Sequence, residues 1–287
     1  MTSAIASHID AKAFNLFNIP EDYYLDPQPY FKALRDDDPI HLNADGSVLL
    51  TRYNDIISVW RDLTGVVNRD EAFIKKFGQG PLLEHHTTSM LFRDPPDHDR
   101  LRTIVNPFFT QKSIERLRQA TVDIVEKLIL DVEKKRDIDF IVDFSSKIPV
   151  QLICDIFGVP REEGPIIRDL GAQVLLPLNP TVSKEVIDAG HVATQKFKDY
   201  LLQYINKWRA LPLEETPSNI ISALVAAEKR GEEISENEMA HLCILVLNGG
   251  HETTTNLIGL STLALINHPD QMAHLGSDDV NIPVAVE

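Results

Sequence analysis

The sequence has little cysteine: Cys154 and Cys243 are its only two, and they lie too far apart to suggest a disulfide scaffold. It also lacks a long hydrophobic run. The longest unbroken apolar stretch, Leu242–Leu247, is far shorter than the roughly 20 residues a membrane-spanning helix needs. The start, MTSAIASHIDAKAFNLFN, has no basic stretch leading into an apolar run, so no signal peptide or membrane anchor is expected there. Positive charge is scarce, with a net charge of −15 and a pI of about 5.1. That balance argues against nucleic acid and against anionic membranes as partners. A soluble, cytoplasmic protein is the expectation.

Several signatures of other chemistries are missing too. His251-Glu252 begins like the zinc-protease pattern HExxH, but Thr255 stands where the second histidine belongs. Gly78-Gln79-Gly80 has neither the third glycine nor the preceding strand of a dinucleotide loop. No phosphate loop and no G-x-S-x-G nucleophile elbow occur. His85-His86, with His98 and nearby aspartates, is a metal-site alternative, disfavoured because the pair is adjacent rather than on one helical face. No internal repeat, low-complexity tract or clear linker divides the chain.

What the sequence does have is ordinary globular composition, 43% apolar and 25% charged, and one dominant stretch from Ser235 to Asn267. Ser235 and Glu238 form a capping box, and no proline follows until Pro269, so one long helix is expected. Leu242, Ile244, Leu245, Val246 and Leu247, then Leu257, Ile258, Leu260, Leu263, Leu265 and Ile266, cover most of its circumference. A helix apolar nearly all round belongs in the middle of a protein. Its own middle departs from that pattern with Gly249-Gly250-His251-Glu252-Thr253-Thr254-Thr255. Two readings are open. The glycines let another helix approach while the threonines bond back one turn, or they let something large lie flat beside an acid and an alcohol.

Gly249-Gly250-His251-Glu252-Thr253-Thr254 resembles the A/G-G-x-D/E-T-T signature of cytochrome P-450 haem-thiolate monooxygenases, especially the soluble bacterial type. Asp94-Pro95-Pro96-Asp97-His98-Asp99-Arg100-Leu101-Arg102 is similar to that family's D-P-P-x-H-x-x-x-R segment. The two motifs stand in the family's order, and the likeness runs from about Phe14 to the last residue. It implies a mainly α fold with a small β-hairpin near the N-terminus, formed by residues 1–287 as a single incomplete domain. It also implies haem as cofactor, contacted by His98, Arg102, Gly249 and Gly250. The reaction implied inserts one oxygen atom of dioxygen into a small organic substrate and reduces the other to water. Thr253 would hydrogen-bond dioxygen and Glu252 would relay protons to it. The electron-transfer partner would be a ferredoxin or a flavoprotein.

The rest of the chain reads as helices around one early hairpin. A short helix over Tyr30–Asp36 precedes strands Ile40–Leu42 and Ser47–Thr51, which turn at Asp45-Gly46. Helical periodicity resumes over Tyr53–Asp62, and Val67–Met90 reads as a long loop with at most a short helix. A helix after Pro96 places His98 and Arg102 four apart on one side, a solvated polar face or two donors suited to one carboxylate. The resemblance makes that carboxylate a haem propionate. Arg100 points elsewhere and is expected to be solvated, forming a basic patch with Lys112, Arg116 and Arg118. Ser113–Lys135 and Ile138–Phe157 are further helices, the second broken near Pro149 and holding a buried, inert Cys154. Glu162–Trp208 holds two or more helices, with Val174, Leu175, Leu176 and Leu178 as pocket or core residues. Ser218–Arg230 is the last helix before the central one.

One departure from the family pattern stands at the end. The tail from Asn281 to Glu287 resembles the lead-in to the family's E-x-x-R helix, and the loop carrying its axial cysteine is absent. Neither Cys154 nor Cys243 has that loop's context. The 287-residue chain alone is therefore expected to be inactive as a monooxygenase and to expose apolar surface along its central helix. The alternative is a non-enzymatic remnant or a binding module without haem.

Overall fold

The computed structural model describes residues 9–62, 65–215, 218–277 and 282–286. It separates into two units, one running to Val66 and including Leu178–Val182, the other Val67–Pro177 with everything from Ser183 onward. In the first unit, helix α1 (Gln28–Asp37) has Pro29 in its first turn, where a missing N–H costs no helical bond. It buries Tyr30 and Leu34 against Ala11 and Phe14. The Tyr30 hydroxyl donates to Asp22 at 2.6 Å. Strands β1 (Ile40–Leu42) and β2 (Val48–Leu50) pair antiparallel with His41 opposite Leu49. Their turn forms as expected at Asp45-Gly46, Gly46 adopting φ +86° and the Ser47 N–H donating to Asp45 at 3.0 Å. Helix α2 (Tyr53–Arg61) follows.

The second unit is a helical assembly. Its elements are α3 (Asp70–Phe77), α4 (Pro81–Thr88), α5 (Asp97–Val105), α6 (Gln111–Glu115), α7 (Arg118–Glu133), α8 (Lys147–Phe157), α9 (Gly164–Leu175), α10 (Lys184–Arg209), α11 (Ile220–Lys229), α12 (Glu236–Asn267), α13 (Pro269–Leu275) and α14 (Ile282–Val286). Helix α12 is the predicted central helix, and its capping box is formed in both directions between Ser235 and Glu238. Its first half is buried all round through Met239, Ala240, Leu242, Cys243, Ile244 and Leu247.

Two arginines from other helices fix its start. Arg209 of α10 binds Glu228 of α11 through Nε and Nη2, both at 2.7 Å, and reaches Glu236 of α12 through Nη1. Arg100 of α5 pairs with Glu238 and donates to the Glu233 carbonyl. The expectation that Arg100 is solvated is therefore wrong, because two acceptors at the start of α12 collect it.

Glycines set how closely the helices cross. A Cβ on Gly250 of α12 would meet Ile153 Cδ1 of α8 at 2.6 Å, and one on Gly171 of α9 would meet Asn248 Oδ1 of α12 at 2.2 Å. Gly164, the first residue of α9, similarly sits where a Cβ would come within 2.5 Å of Val150 Cγ1 of α8. Helices α8, α9 and α12 thus pack glycine backbone on one helix directly against side chains of the next. At the end of α8, Gly158 is left-handed with φ +71°, the usual helix stop.

Three expectations about elements need correction. Residues 67–90 hold two helices rather than a long loop. Phe73 and Phe77 stack at 5.3 Å on one face of α3, while α4 starts at Pro81 and buries Leu82, Leu83, His85 and His86. Each helix is only eight residues long, and tertiary packing stabilises what local periodicity could not signal. The helix break before α8 falls at Ser146, after a π-helical turn over Ile141–Ser145, so Pro149 lies within the first turn. The stretch from Ser113 to Lys135 divides into α6 and α7.

Helices α4, α10 and α12 also enclose a polar cluster. His85, His86 and His241 are buried, with the Nδ1 atoms of His85 and His241 sharing a hydrogen bond at 3.3 Å. Glu84 accepts from Lys198 at 3.0 Å and from Asn237 at 2.8 Å, and lies 3.5 Å from His241. Burial pushes His86 and His241 down to about 4, against Glu84's opposing pull on His241, and lowers His85 well below its ordinary value. In the unfolded chain these rings bind protons near 6.5, so their neutral forms favour the fold above that pH. The contribution is lost as pH falls from there toward the folded values. The unfolding midpoint is expected to drop as pH is lowered from about 7 to about 5, and His86→Leu to flatten the slope. An unchanged slope in the variant would locate the titration elsewhere.

Candidate functional site

The candidate site lies where α12 changes from fully enclosed to open. Beyond Thr255 one side of it still packs, with Ile258 against Ile124, Leu128 and Ile148, but Leu257, Leu260, Leu263 and Ile266 are 49%, 67%, 55% and 62% exposed. At the transition the two adjacent glycines face different surroundings. A Cβ on Gly249 would meet no atom within 4 Å, whereas Gly250 backs onto Ile153. Gly249 is exposed, and so is Thr253, one turn further along the same face. The Thr253 hydroxyl donates to the Gly249 carbonyl at 2.8 Å, which leaves its oxygen lone pairs free to accept.

The neighbouring side chains turn away from that face. His251 is buried and donates from Nδ1 to the Leu247 carbonyl at 3.0 Å, and Thr255 donates to the His251 carbonyl at 2.8 Å. Glu252 makes no hydrogen bond or ion pair among the described residues. With Arg168, His251 and Asn256 it lines a cavity of about 260 Å³ against α9 and the π-helical turn. Glu252 and Thr253 therefore serve different surfaces of one helix. Gly250 is a packing position against α8, and Gly249 is open.

The other predicted cofactor residues sit on α5. Its buried face is Leu101 and Val105. His98 is half-buried with Nδ1 2.8 Å from Asp99, and Arg102 is exposed with no partner among the described residues. No hydrogen bond joins either residue to Gly249, Gly250, Glu252 or Thr253 among the described residues. The alternative metal cluster does not assemble. His98 is on α5 beside Asp99, while His86 lies against Phe73 and Phe77 at ring distances of 5.4 and 5.2 Å. Among the described residues no group of three His, Cys, Asp or Glu side chains is placed to hold a metal.

The two cysteines are free and buried, Cys154 in α8 and Cys243 in α12. Burial pushes the Cys154 thiol up to about 12 and raises that of Cys243 further. A thiolate ligand needs the opposite, a depressed pKa in an electropositive setting. The residues present thus suit the open face of a flat apolar group, through Gly249, Thr253 and the uncovered leucines, and offer no thiolate to its iron.

Sequence reasoning missed Asn248, whose side-chain amide is buried with neither polar atom hydrogen-bonded, opposite Gly171. An asparagine inside an apolar helix next to a glycine pair was the available signal. It also missed the ties from Arg100 and Arg209 to the start of α12, which join residues distant in sequence.

Fold and site define a mainly helical protein built on one long helix interrupted by an acid-alcohol motif. The cytochrome P450 family model matches residues 40–278, and the chain belongs to that family, whose cofactor is haem. It is 31% identical over 282 residues to the polyketide biosynthesis cytochrome P450 PksS of Bacillus subtilis, covering 93% of this chain and 66% of that protein. Against the vitamin D(3) 25-hydroxylase of Pseudonocardia autotrophica, identity is 32% over 272 residues, covering 92% of this chain and 64% of the relative. The crystal structure of P450BioI in complex with an acyl carrier protein carrying hexadec-9Z-enoic acid superposes with a TM-score of 0.84 at 27% identity. That match covers 93% of this chain and 69% of the other. The chain spans 64–66% of the length of these two curated relatives. No helix among the described residues is long and apolar enough to cross a membrane.

The division between the two glycines is open to measurement. Gly249→Ala is expected to raise stability by up to about 1 kcal/mol through helix propensity alone. Gly250→Ala is expected to gain less or to destabilise, because its Cβ meets Ile153, and Ile153→Val should restore part of the difference. Chemical denaturation of the single and double variants checks this, and equal effects at the two glycines would refute the division.

Proposed function

We propose that this chain forms the dioxygen-handling face of a haem-dependent monooxygenase. The reading rests above all on Gly249 and Thr253, which place an open backbone and a hydroxyl one turn apart on the uncovered side of α12. Haem, when bound, supplies the iron that activates dioxygen. One oxygen atom enters a C–H or C=C bond of a small organic substrate and the other leaves as water. Two electrons are drawn for this from a ferredoxin or flavoprotein, together with two protons from solvent.

In this reading the chain's own residues hold groups and move protons. Gly249 leaves room for the macrocycle and dioxygen beside the helix. The Thr253 hydroxyl, now resting on the Gly249 carbonyl, rotates to donate a hydrogen bond toward dioxygen. Glu252 takes protons from the water-accessible cavity it lines and delivers them along the helix surface. His98 and the unpaired Arg102 hold a propionate, for which a guanidinium fork is well shaped. Gly250 contributes indirectly by keeping α8 close. Two free thiols fit a reducing cytoplasm.

The state of those thiols favours one second reading. With both pushed toward the protonated form, the 287-residue chain offers no thiolate of its own. It would then act as a haem-free binding module. The absorption spectrum of the purified chain with added haemin separates the two: saturable uptake supports the haem-binding face, and no uptake supports the module. If haem binds, Gly249→Leu is expected to weaken uptake by about tenfold or more, since it fills the open face. In the haem-loaded enzyme, Thr253→Ala is expected to let reductant consumption continue while product per reductant falls severalfold. Unchanged coupling would sink the assignment of Thr253.

A further inference from the structure

A second cavity, of about 300 Å³, opens beside the one at Glu252, and Ser146 and Arg168 line both. Its wall brings together Lys147 and Gln151 from α8, Arg161 from the turn before α9, and Arg168 from α9 itself, with Glu162 as the one acid. We propose that this cleft binds an oxyanion, the carboxylate or phosphate group of a small molecule, held by Ser146, Lys147, Arg161 and Arg168 at the start of α9. No role assigned to the central helix requires such a site, and the proposal does not depend on haem.

Four observations converge on an anion. The first is charge: the wall of the cleft carries three cations and one carboxylate, with Asp155 and Asp169 binding Arg161 and Arg168 from outside the lining, in a protein whose net charge is −15. The second is Ser146, which is only 4% exposed yet has no side-chain hydrogen bond among the described residues and borders both cavities. A buried hydroxyl left without a protein partner and opening onto a cavity calls for a partner inside it.

The third observation is the start of α9. This twelve-residue helix has no side-chain cap and no acid in its first turn. The residue at its cap position, Glu163, instead accepts hydroxyl hydrogen bonds from Tyr200 at 2.5 Å and Tyr204 at 2.8 Å. Glu163 is therefore turned to the tyrosines instead of capping α9, which leaves the dipole of that end without a side-chain partner, although the Gly164 N–H bonds the Arg161 carbonyl and Pro165 has none.

The fourth concerns the cations themselves. Arg161 is engaged by Asp155, and Arg168 by Asp169, only through Nε and Nη2. Each keeps an Nη1 group without a hydrogen bond among the described residues. Asp169 is 62% exposed, so its pair with Arg168 is weak and does not cancel the arginine's charge. Lys147 makes no ion pair among the described residues, and the free amide of Gln151 adds a further donor.

Titration calorimetry of the 287-residue chain with inorganic phosphate, and separately with acetate, tests the site at constant ionic strength against chloride. Saturable single-site binding of either ion is expected, and the one that binds assigns the group as phosphate or carboxylate. The Lys147→Ala/Arg168→Ala pair should weaken it by about tenfold or more, and Ser146→Ala by a smaller factor. Failure of both ions to saturate, or equal affinity in wild type and variants, would overturn the proposal. Should the double variant lose its circular dichroism spectrum, Arg168→Gln and Ser146→Ala carry the same comparison singly.

Discussion

The constraint on which the rest of the second unit depends is the close crossing of α8 and α9 over α12. At those crossings side chains would collide, and glycine at positions 250 and 171 removes them. Glycine within a helix costs roughly 1 kcal/mol against alanine. The cost is offset by what the close approach buries. Ile153, Met239, Leu242, Ile244 and Leu247 are all nearly inaccessible, and each such side chain is worth about 1.5–3 kcal/mol when removed from water. Had α8 stood a side chain's width further out, Ile153 would lose its seat and α12 would be less firmly held. The position of Thr253 is thus set by a contact one turn back on the adjacent face of its own helix.

This explains why the motif is contiguous in sequence although its residues act on separate surfaces. Successive residues turn about 100° around a helix, so four neighbours sample the whole circumference. Gly249 and Thr253 return to nearly the same azimuth and share the open face. Gly250 meets α8, His251 is enclosed and bonded to Leu247, and Glu252 comes out at the cavity beside Arg168. A site assembled from distant loops would need each element placed independently. Here one crossing geometry places every member together.

The sequence made the local features legible. Ser235 with Glu238 marks the start of α12, and Asp45-Gly46 marks the hairpin, because in each case the signal and the structure lie within a few residues. The family motifs pointed to candidate site residues, though not to how they divide between faces, since whether a glycine is open or packed depends on Ile153, about a hundred positions away. Longer-range features were hidden for the same reason. Arg100 reads as a surface cation until Glu238 is brought to it, and α3 and α4 read as loop because neither eight-residue segment is helical without its aromatic neighbours. The histidine cluster joins His85 to His241 across 156 positions, with no local pattern in either segment to announce it.

Helix α12 lives in two environments while its sequence is rich in apolar residues on either side of the motif. In its first half, partners on every side consume that apolarity, which also buries Cys243 and removes its thiol from chemistry. In its second half, Leu257, Leu260, Leu263 and Ile266 meet solvent. Isolated exposed apolar residues need no explanation, but three leucines and an isoleucine along one continuous helix form a stripe, winding about halfway round it, that water solvates poorly. The stripe begins where Gly249 and Thr253 open outward, so a flat apolar group seated there would rest on backbone at one end and on leucine side chains at the other. Such a group would remove from water the surface that α12 alone leaves uncovered. The hydroxyl of Thr253 would then lie at its edge as the nearest polar contact. Burial of the stripe and placement of the Thr253 hydroxyl would, on this geometry, be one event.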